Sequence, residues 1–351
     1  MDYLLNRDLL IHPALAGSWR GNPVEDDQFQ YLRDPFEPEW TSVLRMMLLP
    51  NPQRAEKKAD HWVPAVAQDT EYLADRTRNW IVWLGHACYL MQLNGRRYLT
   101  DPQLEDMPFF QRRVSPPFDY AELRGIDYIL LSHDHRDHVD EKSLRTICAN
   151  NDIRKILAPL KMSEVIGEWV GETPIEEAAW YQQYRLPDTD VTITFLPTAH
   201  WSRRALTDFN RRLWGSFMLE CGGSAGQRGD GDPRETTTIY FGGDSARTDY
   251  WAEIGELFPH IDVAMLGIGA YKPEFMMRSN HANPSEAFTG YRDLNATYFW
   301  PMHHGTYDLS NEPPSEPILW ATKIMTKHGL QDRMVQAAVN QPWWFGTRLG
   351  G

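Results

Sequence analysis

The sequence predicts an α/β chain with two β-sheets sandwiched between helices, and three observations carry that reading. Apolar runs of strand length recur from about Asn79 onward, and helical stretches intervene between them. Four of the runs end in a histidine or aspartate beside a turn. Loops at strand ends are where a rigid scaffold places reactive groups, so this last feature points to one shared site.

Taken in order, Trp80-Ile-Val-Trp-Leu84 reads as a buried strand that stops at Gly85-His86. Cys88-Tyr-Leu-Met-Gln-Leu93 follows, Asn94-Gly95 gives a hairpin turn, and Arg97-Tyr-Leu-Thr100 returns. Ile126-Asp-Tyr-Ile-Leu-Leu131 is a further buried strand that delivers the chain to Ser132-His133. In the second half, Val191-Thr-Ile-Thr-Phe-Leu196 alternates as a strand and ends at Pro197 and His200. Thr237–Phe241 runs into Gly242-Gly-Asp244, Ile261–Leu266 into Gly267-Ile-Gly-Ala270, and Thr297–Trp300 into Pro301-Met-His303. Helices are expected over Ser285–Leu294 and Pro317–Lys327. Residues 1–75 are rich in proline, charge and aromatics and lack sustained periodicity. They read as an N-terminal extension packed on a main domain of residues 76–351. Within the extension, Trp40–Leu49 carries several large apolar side chains before Pro50. It reads either as a helix packed on the main domain or as an element that seeks a membrane surface or a second copy.

Bulk properties narrow the function. The 351 residues carry 35 Lys and Arg against 48 Asp and Glu, a formal charge of −13. A chain this acidic is repelled by nucleic acid, so no nucleic-acid partner is expected. The 3 cysteines (Cys88, Cys148 and Cys221) are far apart, which fits reduced thiols and neither a disulfide framework nor a thiolate metal site. The N-terminus lacks a basic region followed by an unbroken apolar one, and no stretch is long and apolar enough to span a bilayer. A cytoplasmic location, with peripheral membrane contact open, is the expectation.

The segment Ser132-His-Asp-His-Arg-Asp-His138 is the strongest chemical signal. It sets His133, His135, Asp137 and His138 on one loop after a strand. Alternate positions let two imidazoles converge on one metal, while the Asp-His pair that follows turns towards a second. A merely solvated polar loop would leave the later histidines and aspartate at strand ends unexplained.

His-x-His-x-Asp-His after a buried strand resembles the metallo-β-lactamase superfamily, which implies a four-layer αββα sandwich with two metals at the strand ends. The resemblance narrows through Trp83-Leu-Gly-His-Ala87, Leu99-Thr-Asp-Pro102, His200-Trp-Ser-Arg-Arg204, Leu213-Trp-Gly-Ser216 and Gly243-Asp244. Gly267-Ile-Gly-Ala-Tyr271, His281-Ala-Asn-Pro-Ser-Glu286 and Met302-His-His-Gly-Thr-Tyr307 follow in the same order. Together these are similar to the N-acylphosphatidylethanolamine-hydrolysing phospholipase D branch, over roughly residues 75–320. The resemblance implies that His133, His135 and His200 hold one metal. Asp137, His138 and His303 would hold the other, and Asp244 would bridge the two. It also implies that His281 stands near the leaving group; Asp137 and His281 are read as the catalytic candidates, Tyr271 and His304 as substrate-binding, and His86 and Asp101 as orienting ligating imidazoles. Readings of the residues alone stay open beside these: an ordinary turn for Asp101, and a neighbour of a helix cap for His281. Trp201, Trp214 and Tyr271 fit either an apolar wall for acyl chains or core packing. The branch carries asparagine, tyrosine and tryptophan where this chain has Asp134, Arg136 and His304, and Arg136 fits either an anionic substrate or a salt bridge.

The expected chemistry is hydrolysis by a metal-bound hydroxide, with zinc the first choice and iron or manganese compatible with the same donors. A phosphodiesterase acting on a phospholipid or another amphiphilic small molecule is the leading function. The alternatives are a lactonase acting on a sugar-phosphate or acyl lactone, and a non-catalytic metal-binding regulatory protein. Oligomeric state is left open.

Overall fold

The computed structural model describes residues 1–33, 35–36, 41, 45, 48–222 and 236–344, so most of Trp40–Leu49 lies outside the described residues. The N-terminal stretch supplies β1 (Asp2–Leu4), β2 (Leu10–Ile11), β3 (Asn22–Glu25), β4 (Gln28–Phe29) and α1 (Arg54–Ala59). The first half of the remainder contains β5 (Trp80–Gly85), β6 (Cys88–Leu93), β7 (Arg96–Thr100) and β8 (Tyr128–Leu130). After α2 (Glu141–Asn150) come β9 (Lys155–Pro159), α3 (Ser163–Ile166) and β10 (Ile175–Ala178). The second half holds β11 (Gln182–Gln183), β12 (Val191–Leu196), β13 (Ser216–Cys221), β14 (Thr237–Phe241), α4 (Tyr250–Leu257) and β15 (Ile261–Gly267). It closes with α5 (Glu274–Met277), α6 (Pro284–Asp293), β16 (Ala296–Met302), α7 (Glu316–Lys327) and β17 (Pro342–Trp344).

Two seven-stranded sheets result, ordered β10-β9-β8-β7-β6-β5-β17 and β16-β15-β14-β13-β12-β11-β2. In each sheet the strands at one end run parallel and those at the other end antiparallel. β1, β3 and β4 form a small separate sheet. The continuous apolar runs are explained by burial on both faces. In β5, Ile81 and Trp83 point into the core between the sheets, whereas Trp80, Val82 and Leu84 point to the outer core beneath α2. β6 divides the same way, with Tyr89, Met91 and Leu93 inward and Cys88 and Leu90 outward. Burying a side chain of this size contributes roughly 1.5–3 kcal/mol. On the far side, Trp251, Ile254, Ala287, Tyr291, Ala321 and Met325 of α4, α6 and α7 pack onto the second sheet. The architecture is the αββα sandwich of the metallo-β-lactamase fold.

Local chemistry sets the boundaries. Asn94 and Gly95 both adopt positive φ (49° and 77°), as a two-residue hairpin turn between twisted strands demands. The β16 strand continues through Pro301 because it is an edge strand, where a missing N–H costs no ladder bond. The run Ile126–Leu131 shortens to Tyr128–Leu130. The β9, β10 and β13 strands are found where no strand is read from the sequence. All three cysteines are free. No helix among the described residues is long and apolar enough to cross a membrane.

Candidate metal centre

The loops that leave β8, β12, β14 and β16 converge at one end of the two sheets. His133 Nε2 and His200 Nε2 approach His135 Nδ1 at 3.0 and 3.1 Å, and Asp244 Oδ2 lies 3.8 Å from each Nε2. A second group forms beside it. His138 Nε2 is 3.1 Å from Asp244 Oδ2 and 3.6 Å from Asp137 Oδ2. His303 Nε2 is 3.2 Å from Asp244 Oδ1 and 3.3 Å from Asp137 Oδ2. Asp244 therefore faces both groups, and all seven side chains singled out in the sequence lie together.

Two glycines allow this convergence. Gly243 has φ 55° and leaves no room for a Cβ, which would stand 2.8 Å from Gly215 O and 2.9 Å from Ser132 Cβ. The Asp244 turn thereby packs directly on the His133 loop. At Gly269 a Cβ would meet His303 O at 2.1 Å, so only glycine lets that loop underlie His303.

The donor set fits divalent cations. Asp244 is 3% exposed, and among the described residues neither of its oxygens, nor His138 Nε2, makes a hydrogen bond of good geometry, although His138 and His303 approach it at 3.1 and 3.2 Å. A buried carboxylate needs a compensating positive charge, which a bound cation would supply. Burial, reinforced by the neighbouring imidazoles, holds His133 and His200 well below the usual histidine range, which leaves them neutral and able to donate lone pairs. Burial opposes ionisation of Asp244, yet His138, His303 and His281 outweigh it and keep its carboxyl well below the usual range. Conversely, burial opposes charge on His138 and His303, but Asp244 and Asp137 raise both, His303 to about 9. The donors are imidazole and carboxylate only, a set that suits zinc, iron or manganese.

A family model described as the beta-lactamase superfamily domain matches residues 96–304, more than half of the chain. The chain belongs to the β-lactamase superfamily. It is 27% identical over 321 residues to N-acyl-phosphatidylethanolamine-hydrolyzing phospholipase D 1 of Caenorhabditis elegans, covering 87% of this chain and 82% of that one. A mitochondrial N-acyl-phosphatidylethanolamine-hydrolyzing phospholipase D of Saccharomyces cerevisiae is 30% identical over 260 residues, 72% of this chain and 53% of the yeast protein. Among solved structures, Igni18, a metallo hydrolase from Ignicoccus hospitalis, superposes with a TM-score of 0.55 at 17% identity. That likeness covers 78% of this chain and 100% of that one and is one of fold.

Within this superfamily site, buried partners fix the ligand candidates. Asp101 Oδ2 accepts from His138 Nδ1 at 2.7 Å and from Ser132 Oγ at 2.6 Å, and its Oδ1 accepts from Ser132 N at 2.8 Å. Ser132 Oγ also lies 2.9 Å from His133 Nδ1, and Asn280 O lies 3.0 Å from His200 Nδ1. Neither Ser132 nor Asn280 is given a role in the sequence reading: a serine before the first histidine is a faint signal, and a backbone carbonyl gives none. His86 differs from expectation, because its Nε2 hydrogen-bonds a carboxylate, Asp137 Oδ2 at 3.1 Å, rather than an imidazole. His86, Asp101 and His303 all have positive φ (55°, 34° and 58°), a strained conformation for residues other than glycine and one that clusters at functional sites.

The remaining candidates separate by exposure. His281 reaches the cleft with 14% of its side chain exposed, and its Nδ1 lies 3.7 Å from Asp244 Oδ2. The helix cap falls to Asn283, whose Oδ1 accepts from Ser285 N and Glu286 N, so His281 is free of that duty. Trp201 stands 4.7 Å from His135 and packs with Phe36 and Phe209, whereas Trp214 is core and donates to Thr198 O. Tyr271 presents no free face to a substrate: it is 1% exposed and its hydroxyl donates to Glu316 Oε1 at 2.6 Å. His304 is likewise buried, between Trp62 and Trp83 at 6.0 and 5.2 Å, and burial pushes its pKa down to about 3. With His86 and His303 it lines a cavity of about 30 Å³, room for a water and not for a substrate. Asp134 is buried and accepts from Arg212 Nε at 2.8 Å and from Arg203 N at 2.9 Å, which ties the 203–212 loop to the metal loop. Arg136 is exposed beside His135.

Proposed function

We propose that this chain is a metal-dependent hydrolase that holds two divalent ions, zinc by first choice, and cleaves phosphodiesters with apolar tails, of the N-acylphosphatidylethanolamine type. One observation carries it: Asp244 stands between two imidazole-rich groups, with its oxygens within 3.8 Å of His133, His200, His138 and His303. His133, His135, His200 and Asp244 would hold one ion, and Asp137, His138, His303 and Asp244 the other. Ions held there supply Lewis acidity towards a phosphoryl oxygen and towards water.

The protein does the rest. Asp137 and Asp244 cancel only part of the charge of two divalent ions, so the site stays locally positive on a chain of formal charge −13 and draws in an anionic phosphodiester. Asp101, Ser132 and the Asn280 carbonyl fix the imidazoles, so that little reorganisation is needed on binding. Burial lowers the His281 pKa to about 4, so its imidazole is neutral at pH 7 and offers an N–H to the leaving oxygen. Trp201, Phe209 and Phe36 give an apolar wall beside His135. A cavity of about 400 Å³ beside α5, lined by Leu49, Pro50, Pro273 and Phe275 together with Arg45 and Lys272, offers apolar walls for a tail and cationic groups for a phosphate. The similarity to two phospholipases over most of this chain supports the same substrate class.

The test is an initial-rate comparison by metal-loaded enzyme of N-acylphosphatidylethanolamine, a phosphodiester without an apolar tail, and a lactone, at equal concentration. The tailed phosphodiester is expected to be fastest. Lactone turnover with both phosphodiesters inert would overturn the substrate assignment.

A further inference from the structure

We propose that His86 is a direct donor to the second metal through Nε2, joining Asp137, His138 and His303. The inference rests on the two-metal reading above and changes what one of the two sites is made of. Asp137 Oδ2 lies 3.1 Å from His86 Nε2, closer than it lies to His303 Nε2 at 3.3 Å or His138 Nε2 at 3.6 Å. The donor atoms of His86, Asp137, His138 and His303 all lie within 4.8 Å of one another. The His86 ring packs 4.0 Å from the His303 ring and 5.4 Å from that of His138.

The backbone presents His86 and His303 as a pair. His86 N–H donates to Thr306 Oγ1 at 2.7 Å, and His86 O accepts from Trp83 Nε1 at 2.9 Å and from His303 N at 3.2 Å. Both residues sit at positive φ, 55° and 58°. A turn needed only to join β5 to β6 is best made with glycine or asparagine at such an angle. Histidine there is spent on its side chain. The two roles differ in where the proton sits. As a hydrogen-bond donor to Asp137, His86 carries it on Nε2; as a ligand it carries it on Nδ1 and turns the Nε2 lone pair to the ion. The second site then has His86, His138, His303, Asp137 and Asp244, and is richer in donors than the first, with His133, His135, His200 and Asp244. The more open position for substrate consequently falls on the first metal, beside Trp201 and His281.

The experiment uses full-length protein labelled with ¹⁵N-histidine and titrated with Co²⁺. A paramagnetic ion shifts the ring N–H of each ligating imidazole far from the diamagnetic range. Two equivalents of Co²⁺ are expected to give shifted signals from His133, His135, His138, His200, His303 and also His86. The His86→Asn variant tolerates the same backbone angle and keeps an N–H donor for Asp137. It is expected to lose one signal and to weaken the second Co²⁺ at least tenfold while leaving the first unchanged. His86→Gln, with metal-free melting of each variant, covers the case in which Asn disturbs the fold. Two bound equivalents with no signal from His86 in the unmutated protein would overturn the assignment and leave the two-metal reading standing. Fewer than two equivalents would overturn both.

Discussion

Asp101 does for His138 what the Asn280 carbonyl does for His200: each accepts a hydrogen bond from Nδ1 and leaves the Nε2 lone pair available to the proposed ion. Removing the partner should let the ring rotate. Asp101→Ala is expected to weaken metal affinity about 10–100-fold, read by competition with a chromophoric chelator, without unfolding the protein. An unchanged affinity would show that packing alone holds His138. Protons give a second test. Without metal, His138 and His303 are held above the ordinary histidine value by Asp244 and Asp137 against the effect of burial. A raised pKa means stabilisation that is complete below the unfolded value near 6.5 and is lost as pH rises through the folded value, about 9 for His303. Chelated protein should therefore lose melting temperature from pH 7 to 9 more steeply than metal-loaded protein. Zinc binding at pH 7 should also release protons, visible as a buffer-dependent heat. The clustering of these side chains was legible because His-x-His-x-Asp-His packs much of a site into one loop. The positive φ of His86, Asp101 and His303 leaves no such mark, since it is imposed by packing around the turn.

Between β12 and β13, the 203–212 loop closes against the metal loop through Asp134. Arg212 is 5% exposed and is also bound by Asp208. Asp134→Ala removes one of the two carboxylates on that guanidinium while Asp208 keeps it paired, a loss of about 1.5–3 kcal/mol. Denaturant melts should show a loss of that order, whereas an exposed aspartate such as Asp106 should tolerate the same change. Burial opposes ionisation of Asp208, but the backbone N–H of Ala205 and the Arg212 guanidinium outweigh it, so its carboxyl lies below the ordinary 3.8. Its stabilisation is present above that value and lost as pH falls through the lower folded one. The melting difference between unmutated protein and Asp208→Asn should therefore shrink on acidification below pH 4. Strands with two buried faces were read readily from apolar runs. The β13 strand carries Phe217-Met-Leu219, which is such a run, yet the sequence reading takes the neighbouring Leu213-Trp-Gly-Ser216 only as part of the family resemblance and assigns no strand there. Helix α6 starts at Pro284 because Asn283 and Glu286 form a capping box around it.

Each sheet supplies part of the site. His86, Asp101 and the 133–138 loop leave the first, while His200, Asp244 and His303 leave the second. Metal binding therefore couples the two halves. A ligand at a hundred times its dissociation constant stabilises by roughly 2.7 kcal/mol, so chelation should lower the melting temperature of the whole chain in one transition. Two separate transitions would show the halves melting independently. The N-terminal stretch contributes at this scale too: Trp62 and Pro64 close over Gly305, and β2 extends the second sheet beside β11. The sequence reads this stretch as an extension packed on the main domain, but its individual contacts were not legible, because segments that bind one contact at a time show no periodicity. The central claim is that Asp244 serves both ions. Its most direct test is metal analysis of Asp244→Asn beside unmutated protein after dialysis against metal-free buffer, with phosphodiester turnover measured on the same samples. Two ions in the unmutated protein, at most one in the variant and loss of turnover are expected. Two tightly held ions and normal turnover in Asp244→Asn would contradict it.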